Sequence, residues 1–98
     1  MPTIIQGQFE WDSEKNESNF KKHGILFEDV VSMFAGFFIM RDARGGFGEL
    51  RRIAIGLIRQ KEYTAVLTYR SGRARLISAR RARSYERALY WEKYHARV

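Results

Sequence analysis

The chain has 98 residues, 45 % of them hydrophobic, no cysteine and a formal net charge of +7. That length suits one compact domain over residues 1–98 with a core built without staples, and the lack of thiols excludes a disulfide framework and thiolate chemistry. No apolar run approaches the ~20 residues that span a bilayer, and the opening MPTIIQGQFEWDSEK carries no basic leader with a cleavable apolar stretch, so a cytoplasmic protein is expected.

In chain order, WDSEKNESNFKKHG predicts a short polar helix. Asp12 can cap its amino end, Glu14 suits the first turn, Lys21, Lys22 and His23 suit the negative carboxyl end, and Gly24 can take the left-handed stop. FEDVVSMF sets Phe27, Val30, Val31 and Phe34 at i, i+3, i+4 and i+7, the core-facing stripe of a second helix. From Phe37 the period changes, and FFIMRDA reads as a strand leading to the turn-rich RGGFGE, expected to be a mobile loop. LRRIAIGLIRQ and EYTAVLTYR suggest an antiparallel hairpin, and the turn at Ser71 and Gly72 leads to a fourth strand, RARLISA. SYERALYWEKYHA predicts a last helix with Ser84 as candidate cap and Glu86 in its first turn. The expected class is α+β: two N-terminal helices, a four-stranded antiparallel sheet and a C-terminal helix, with a further short strand allowed near Ile4 to Phe9. Helices would cover one face of the sheet and leave the other for a ligand.

Charge is unevenly placed. Residues 1–50 hold five basic and eight acidic side chains, whereas the remainder hold 13 and three. In that second half every basic residue except Lys61 and Lys93 is arginine, whose planar fork matches phosphate oxygens, and a field of this sign attracts polyanions. The junction LISARRARSYER gathers Arg80, Arg81 and Arg83 where a strand hands over to a helix with free amides, the makings of a phosphate cradle. Arg73 and Arg75 precede them on one strand parity, Arg70 ends the neighbouring strand, and Arg51 and Arg52 open another. Pairing with Glu49, Glu62 or Glu86 is the competing use of any one arginine, but the acids are too few for all of them.

Cutting RNA without a metal requires a 2′-hydroxyl to lose a proton, the phosphorane charge to be stabilised and the departing oxygen to gain a proton. Arginine serves the second need. For proton transfer the candidates are His23, Glu86, His95, Tyr69 and Lys22, and histidine is the residue type best suited near neutral pH. Two histidines at helical spacing, a dense carboxylate cluster, a phosphate loop and a nucleophile elbow are all missing from the sequence, so neither a metal nor a cofactor is expected.

The segments FEWDSEKNESNFKKHGILFEDVVSMF, GELRRIAIG, TYR and RLISARRARSYERALYWE together resemble the BrnT toxins, of the RelE-like group of bacterial toxin–antitoxin systems, over Phe9 to about Glu92. The resemblance implies a RelE-like fold and a ribonuclease toxin that blocks translation by cutting RNA without metal. It also implies a BrnA antitoxin that holds the toxin inactive and supplies the DNA-binding motif with which the pair represses its promoter. Position by position, Arg51 matches the arginine of the family's ER…IG segment, and Arg80 and Arg81 match the SARRA arginines. These three are expected to grip the scissile phosphate and stabilise its transition state. His23 and Glu86 join them as candidate catalytic groups, and Lys22, Arg52, Tyr69, Arg70, Arg75 and Arg83 as substrate-binding ones. Lys22 and His23 match the KHG element, Tyr69 and Arg70 the strand end, and Glu86 and Tyr90 the last helix. Departures are Leu26 where a small polar cap is usual, FAGF where an Asp-Pro turn is common, and Arg52 at a site that is often aromatic.

Two further classes compete with a nuclease. A non-catalytic basic nucleic-acid-binding or repressor subunit needs a groove-reading element, and neither early helix is basic enough to serve well. A structural partner for an acidic protein overlaps with the toxin reading, since an antitoxin must cover the same cations. Salt weakens nucleic-acid binding in either case, so cleavage is the discriminator.

Overall fold

The computed structural model describes residues 2–43 and 49–97. In chain order the elements are β1 (Thr3–Gln6), β2 (Phe9–Asp12), α1 (Ser13–His23), α2 (Phe27–Met33), β3 (Phe38–Asp42), β4 (Arg51–Ile58), β5 (Lys61–Arg70), β6 (Arg73–Arg81) and α3 (Ser84–Ala96). They build one sheet in the order β1-β2-β6-β5-β4-β3. β2 runs parallel to β6, and every other pairing is antiparallel.

The class is α+β, but the expected four-stranded antiparallel sheet behind two leading helices is corrected to a six-stranded mixed sheet in which a hairpin precedes the helices. The reason lies in FEWD. Phe9 and Trp11 join the apolar core, while Glu10 alternates to the opposite side and meets Arg75. This strand is four residues long and its last residue, Asp12, is also the helix cap, so the stronger cap signal hides it. Its parallel partner lies some 65 residues away, beyond any local pattern.

The helix boundaries follow side-chain chemistry. Asp12 accepts from the amides of Glu14 at 2.8 Å and Lys15 at 3.3 Å, and Gly24, at φ 70°, ends α1 in the left-handed region. Leu26 has no side chain with which to cap α2. Asn16 of α1 does so instead, accepting the Phe27 N–H at 2.8 Å while donating to Glu28 at 2.8 Å. At α3 the expected Ser84 cap is replaced by Arg83, whose N–H donates to the Glu86 carboxylate at 2.7 Å. None of the described helices is long and apolar enough to cross a membrane.

Helices pack on both faces of the sheet, not on one. Alternation along β4 sends Ala54 and Ile58 to a core with Trp11, Ile25, Phe27, Val30 and Met33 under α1 and α2. Ile53, Ile55 and Leu57 go to a second cluster with Phe37, Tyr90, Trp91 and Tyr94 under α3. The apolar run IAIGLI carries this information, because a strand with one wet face would alternate with polar residues. On its own side α3 packs chiefly against β3 and β4, and it reaches β5 through the Trp91–Glu62 hydrogen bond and β6 through the Arg80–Glu86 pair. The stretch expected to be a mobile loop falls on residues 44–48, outside the described residues.

Two positions of the β4–β5 hairpin test this packing. A Cβ on Gly56 would lie 2.5 Å from Met33 Cγ and 3.2 Å from Phe38 Cβ, so α2 sits on β4 through a gap that only glycine leaves. Gly56→Ala should therefore cost about 1–3 kcal/mol in urea unfolding. The two-residue turn holds Arg59 at φ 48° and Gln60 at φ 67°, where side chains are strained. Gln60→Gly should raise stability by about 1 kcal/mol in the same measurement.

Candidate functional site

Strand parity decides which arginines can act together. Ala65 pairs with Ala79 and Leu67 with Leu76, all four facing the α1/α2 core, so the pairing skips Ile77 and β6 carries a bulge there. The extra residue inverts the alternation along β6. Arg73 and Arg75 before the bulge and Arg80 beyond it consequently share the α3 side. Arg81 turns to the other side, where its guanidinium lies 5.5 Å from the centre of the Tyr63 ring. Along β4 the same rule sends Arg51 to the α3 side, opposite Thr68, and Arg52 to the other, 5.8 Å from the Tyr69 ring and 3.9 Å from Asp42. Arg70 pairs with Arg73 across the β5–β6 turn and completes the set.

Arg80 is the most firmly oriented of these. Its Nη1 and Nη2 donate to the two oxygens of Glu86 at 2.7 and 3.0 Å, and Nη1 also donates to the Arg81 carbonyl at 3.2 Å. Glu86 is 2 % exposed. Burial opposes its ionisation, but the hydrogen bonds from Arg80 and from the Arg83 amide outweigh that and hold its carboxyl below the usual range. The same pair raises the Arg80 pKa above its already high ordinary value, chiefly through the hydrogen bond to Glu86. The guanidinium is thus gripped on its Nη1/Nη2 end. The Nε–H and the outward Nη2–H form a second, parallel donor edge with no described protein acceptor.

One hollow opens on Glu86 and another lies at the nearby β6 edge. A cavity of about 270 Å³ is lined by Arg41, Asp42, Ile53, Ile55, Tyr85 and Glu86. A cleft of about 200 Å³ brings Lys22 and His23 of α1 against Ile77 and Ser78. α1 reaches the β6 edge there because β2 stops pairing at Leu76, and Asn19 accepts the freed Ala79 amide at 2.9 Å. Ser78 lies opposite Val66, on the same side as Arg80.

The structure therefore sets Arg80 with Glu86 at one end of the α3 side, with Lys22 and His23 at the nearby β6 edge, and Arg51, Arg70, Arg73 and Arg75 towards the other end of that side. Arg81, Arg52 and Tyr69 are not brought to it, and the Tyr69 hydroxyl points to Met40 Sδ at 3.8 Å. Arg83 stands at the α3 cap. His95 packs on Trp91 and Tyr94 in the last turn of α3, away from the cluster. Several arginines do hold acids: Arg75 meets Glu10 at 2.5 Å, Arg51 and Arg70 share Glu49 at 3.6 Å, and Arg81 lies 3.7 Å from Glu62. Glu10, Arg41 and Tyr85 escaped the sequence reading. Only Glu10 left a signal, as an acid flanked by two core aromatics. Among the described residues no group of three His, Asp or Glu side chains comes together to hold a metal.

A family model described as ribonuclease toxin, BrnT, of type II toxin–antitoxin system matches residues 11–86. The chain belongs to the BrnT family. Members of that family are ribonuclease toxins, and the match runs from Trp11 of β2 through the Arg80–Glu86 pair. No curated protein matches the chain.

The depressed Glu86 pKa makes a pH prediction for this BrnT protein. Its contribution is complete above the unfolded carboxylate pKa, about 4.3, and is lost as pH falls through the lower folded value. Glu62 is also lowered, first by the Trp91 indole N–H, and titrates in the same sense. Glu86→Gln should be about 3 kcal/mol less stable than wild type at neutral pH, as expected when one partner of a buried pair is neutralised. The gap should close in denaturant titrations as pH falls below the unfolded carboxylate pKa and through the lower folded one, because Glu62 is common to both proteins. A gap independent of pH would contradict the assignment.

Proposed function

We propose that this protein is a metal-independent endoribonuclease that inhibits translation in the cytoplasm, cutting RNA by attack of a 2′-hydroxyl on the adjacent phosphate. A BrnA-like antitoxin would cover its cationic face and, with it, bind operator DNA to repress the shared promoter. The observation that carries the reading is the unpartnered donor edge of Arg80, held by a buried carboxylate on the sheet side that also carries Arg51, Arg70, Arg73 and Arg75.

In this reading the Nε–H and outer Nη2–H of Arg80 take two non-bridging oxygens of the scissile phosphate. Charge on those oxygens grows as the phosphorane forms, so donors already fixed in place stabilise the transition state more than the ground state. Arg51, opposite Thr68 and so four strand positions from the Thr64–Arg80 pair, is nominated for a contact further along the RNA. Ser78 is two residues, about 7 Å, from Arg80, which makes His23 and Lys22 in its cleft the nominated proton-transfer groups. Glu86 is a poor base because both oxygens are engaged and its carboxyl is held ionised. It is assigned instead as a positioning residue for Arg80. Arg52 and Arg81 face the other way and contribute to the attracting field.

The expected outcome is RNA cleavage by the purified chain in EDTA. Arg80→Ala should lower the rate by about 10²–10³, the loss seen when one fixed oxyanion donor is removed, and Arg81→Ala by less than about tenfold. Intact RNA with folded wild-type protein would leave a non-catalytic basic nucleic-acid-binding subunit as the better account.

A further inference from the structure

A second cationic cluster lies at the far end of the same sheet side. Ser71 at φ 54° and Gly72 at φ 78° make a tight turn that sets Arg70 directly opposite Arg73. Two pairs further along, Thr68 stands between Arg75 and Arg51. Like charges facing each other across a hairpin are destabilising. Two described carboxylates answer these four guanidiniums, Glu49 shared by Arg51 and Arg70 and Glu10 on Arg75. Arg73 has no described carboxylate, and its Nε is buried without a hydrogen-bond partner. A site with this excess of forked donors is short of an anion.

Taking RNA as the substrate and Arg80 as the grip on the cleaved linkage, we propose that Arg70 and Arg73 form a second phosphate subsite for the same RNA strand. Seven positions of β6 separate Arg73 from Arg80, about 20 Å allowing for the bulge. That spans about six nucleotides of a strand stacked at ~3.4 Å per residue, and fewer of one drawn out. Val66 and Ser78, opposite one another between the two clusters, offer a path without a large side chain. The protein thus discriminates by length: a short oligonucleotide reaches Arg80 alone, and a longer one reaches both.

The test uses the full chain and 2′-O-methyl oligonucleotides, which lack the attacking hydroxyl and stay uncut, of about two to eight nucleotides. Fluorescence anisotropy should show wild-type affinity rising by about tenfold once the length passes about six nucleotides. Arg70→Gln with Arg73→Gln should bind the shortest oligonucleotides as wild type does and lose the rise. Its slope of log affinity against log salt for the longest should fall by about 1.4, two contacts at about 0.7 each. The variant removes an opposed pair of cations, so its thermal midpoint should not fall, and a lost rise is then not unfolding. Equal loss at every length, or no loss at any, overturns the subsite; the second result assigns the cluster to the acidic protein partner. Parallel assays with cleavable RNA separate this from the nuclease reading. Cleavage with unchanged length dependence in the variant defeats the subsite alone, and a length-dependent rise without cleavage defeats the nuclease alone.

Discussion

The ion pair between Arg80 and Glu86 joins the end of β6 to the first turn of α3, and the arrangement of the site depends on it. Glu86 closes three bonds at once, two from the guanidinium and one from the Arg83 amide, so a single carboxylate caps the helix and aims the arginine. At 2 % exposure the charge is affordable only because every oxygen is engaged. A guanidinium held this way loses little further freedom on meeting a phosphate, which is the condition under which a hydrogen-bond donor accelerates a reaction.

A second constraint is the bulge at Ile77. Without it, regular alternation would put Arg81 beside Arg73 and Arg75 and send Arg80 to the α1/α2 side. One inserted residue reverses that choice, and with it the division of the arginines into a set that can converge and a set that stacks on Tyr63 and Tyr69. The placement of α3 acts in the same direction. By settling chiefly on β3 and β4 through Tyr90, Trp91 and Tyr94, it meets β5 and β6 at Glu62 and Arg80, the ends opposite Arg70 and Arg73. The Tyr90 hydroxyl, which donates to the Phe37 carbonyl at 3.1 Å, is pushed up by burial and serves as an anchor there.

Much of this was legible because it is local. The Asp12 cap, the Gly24 stop, the stripe of α2 and the four long strands each follow from a few neighbouring residues. The rest depended on distant partners. FEWD becomes a strand through its pairing with residues 74–76, Leu26 goes uncapped because Asn16 reaches across from α1, and Ser84 yields the cap to a carboxylate two residues on. Adjacent Arg80 and Arg81 had to diverge, but no sequence signal marked the bulge that decides which of them joins the α3 side. The apolar run of β4, which leaves no residue for a wet face, held the signal for helices on both faces that the one-face expectation passed over.

The central claim is that Glu86 points the Nε edge of Arg80 at a phosphate on the α3 side. Two-dimensional ¹⁵N–¹H spectra of the arginine Nε–H groups, recorded while a 2′-O-methyl dinucleotide is added, test it directly. The account predicts that the Arg80 Nε–H signal moves downfield as it takes a phosphate oxygen, while that of Arg81, already donating to the Glu62 carbonyl at 3.0 Å, stays in place. A shift at Arg81 with Arg80 unmoved would contradict it.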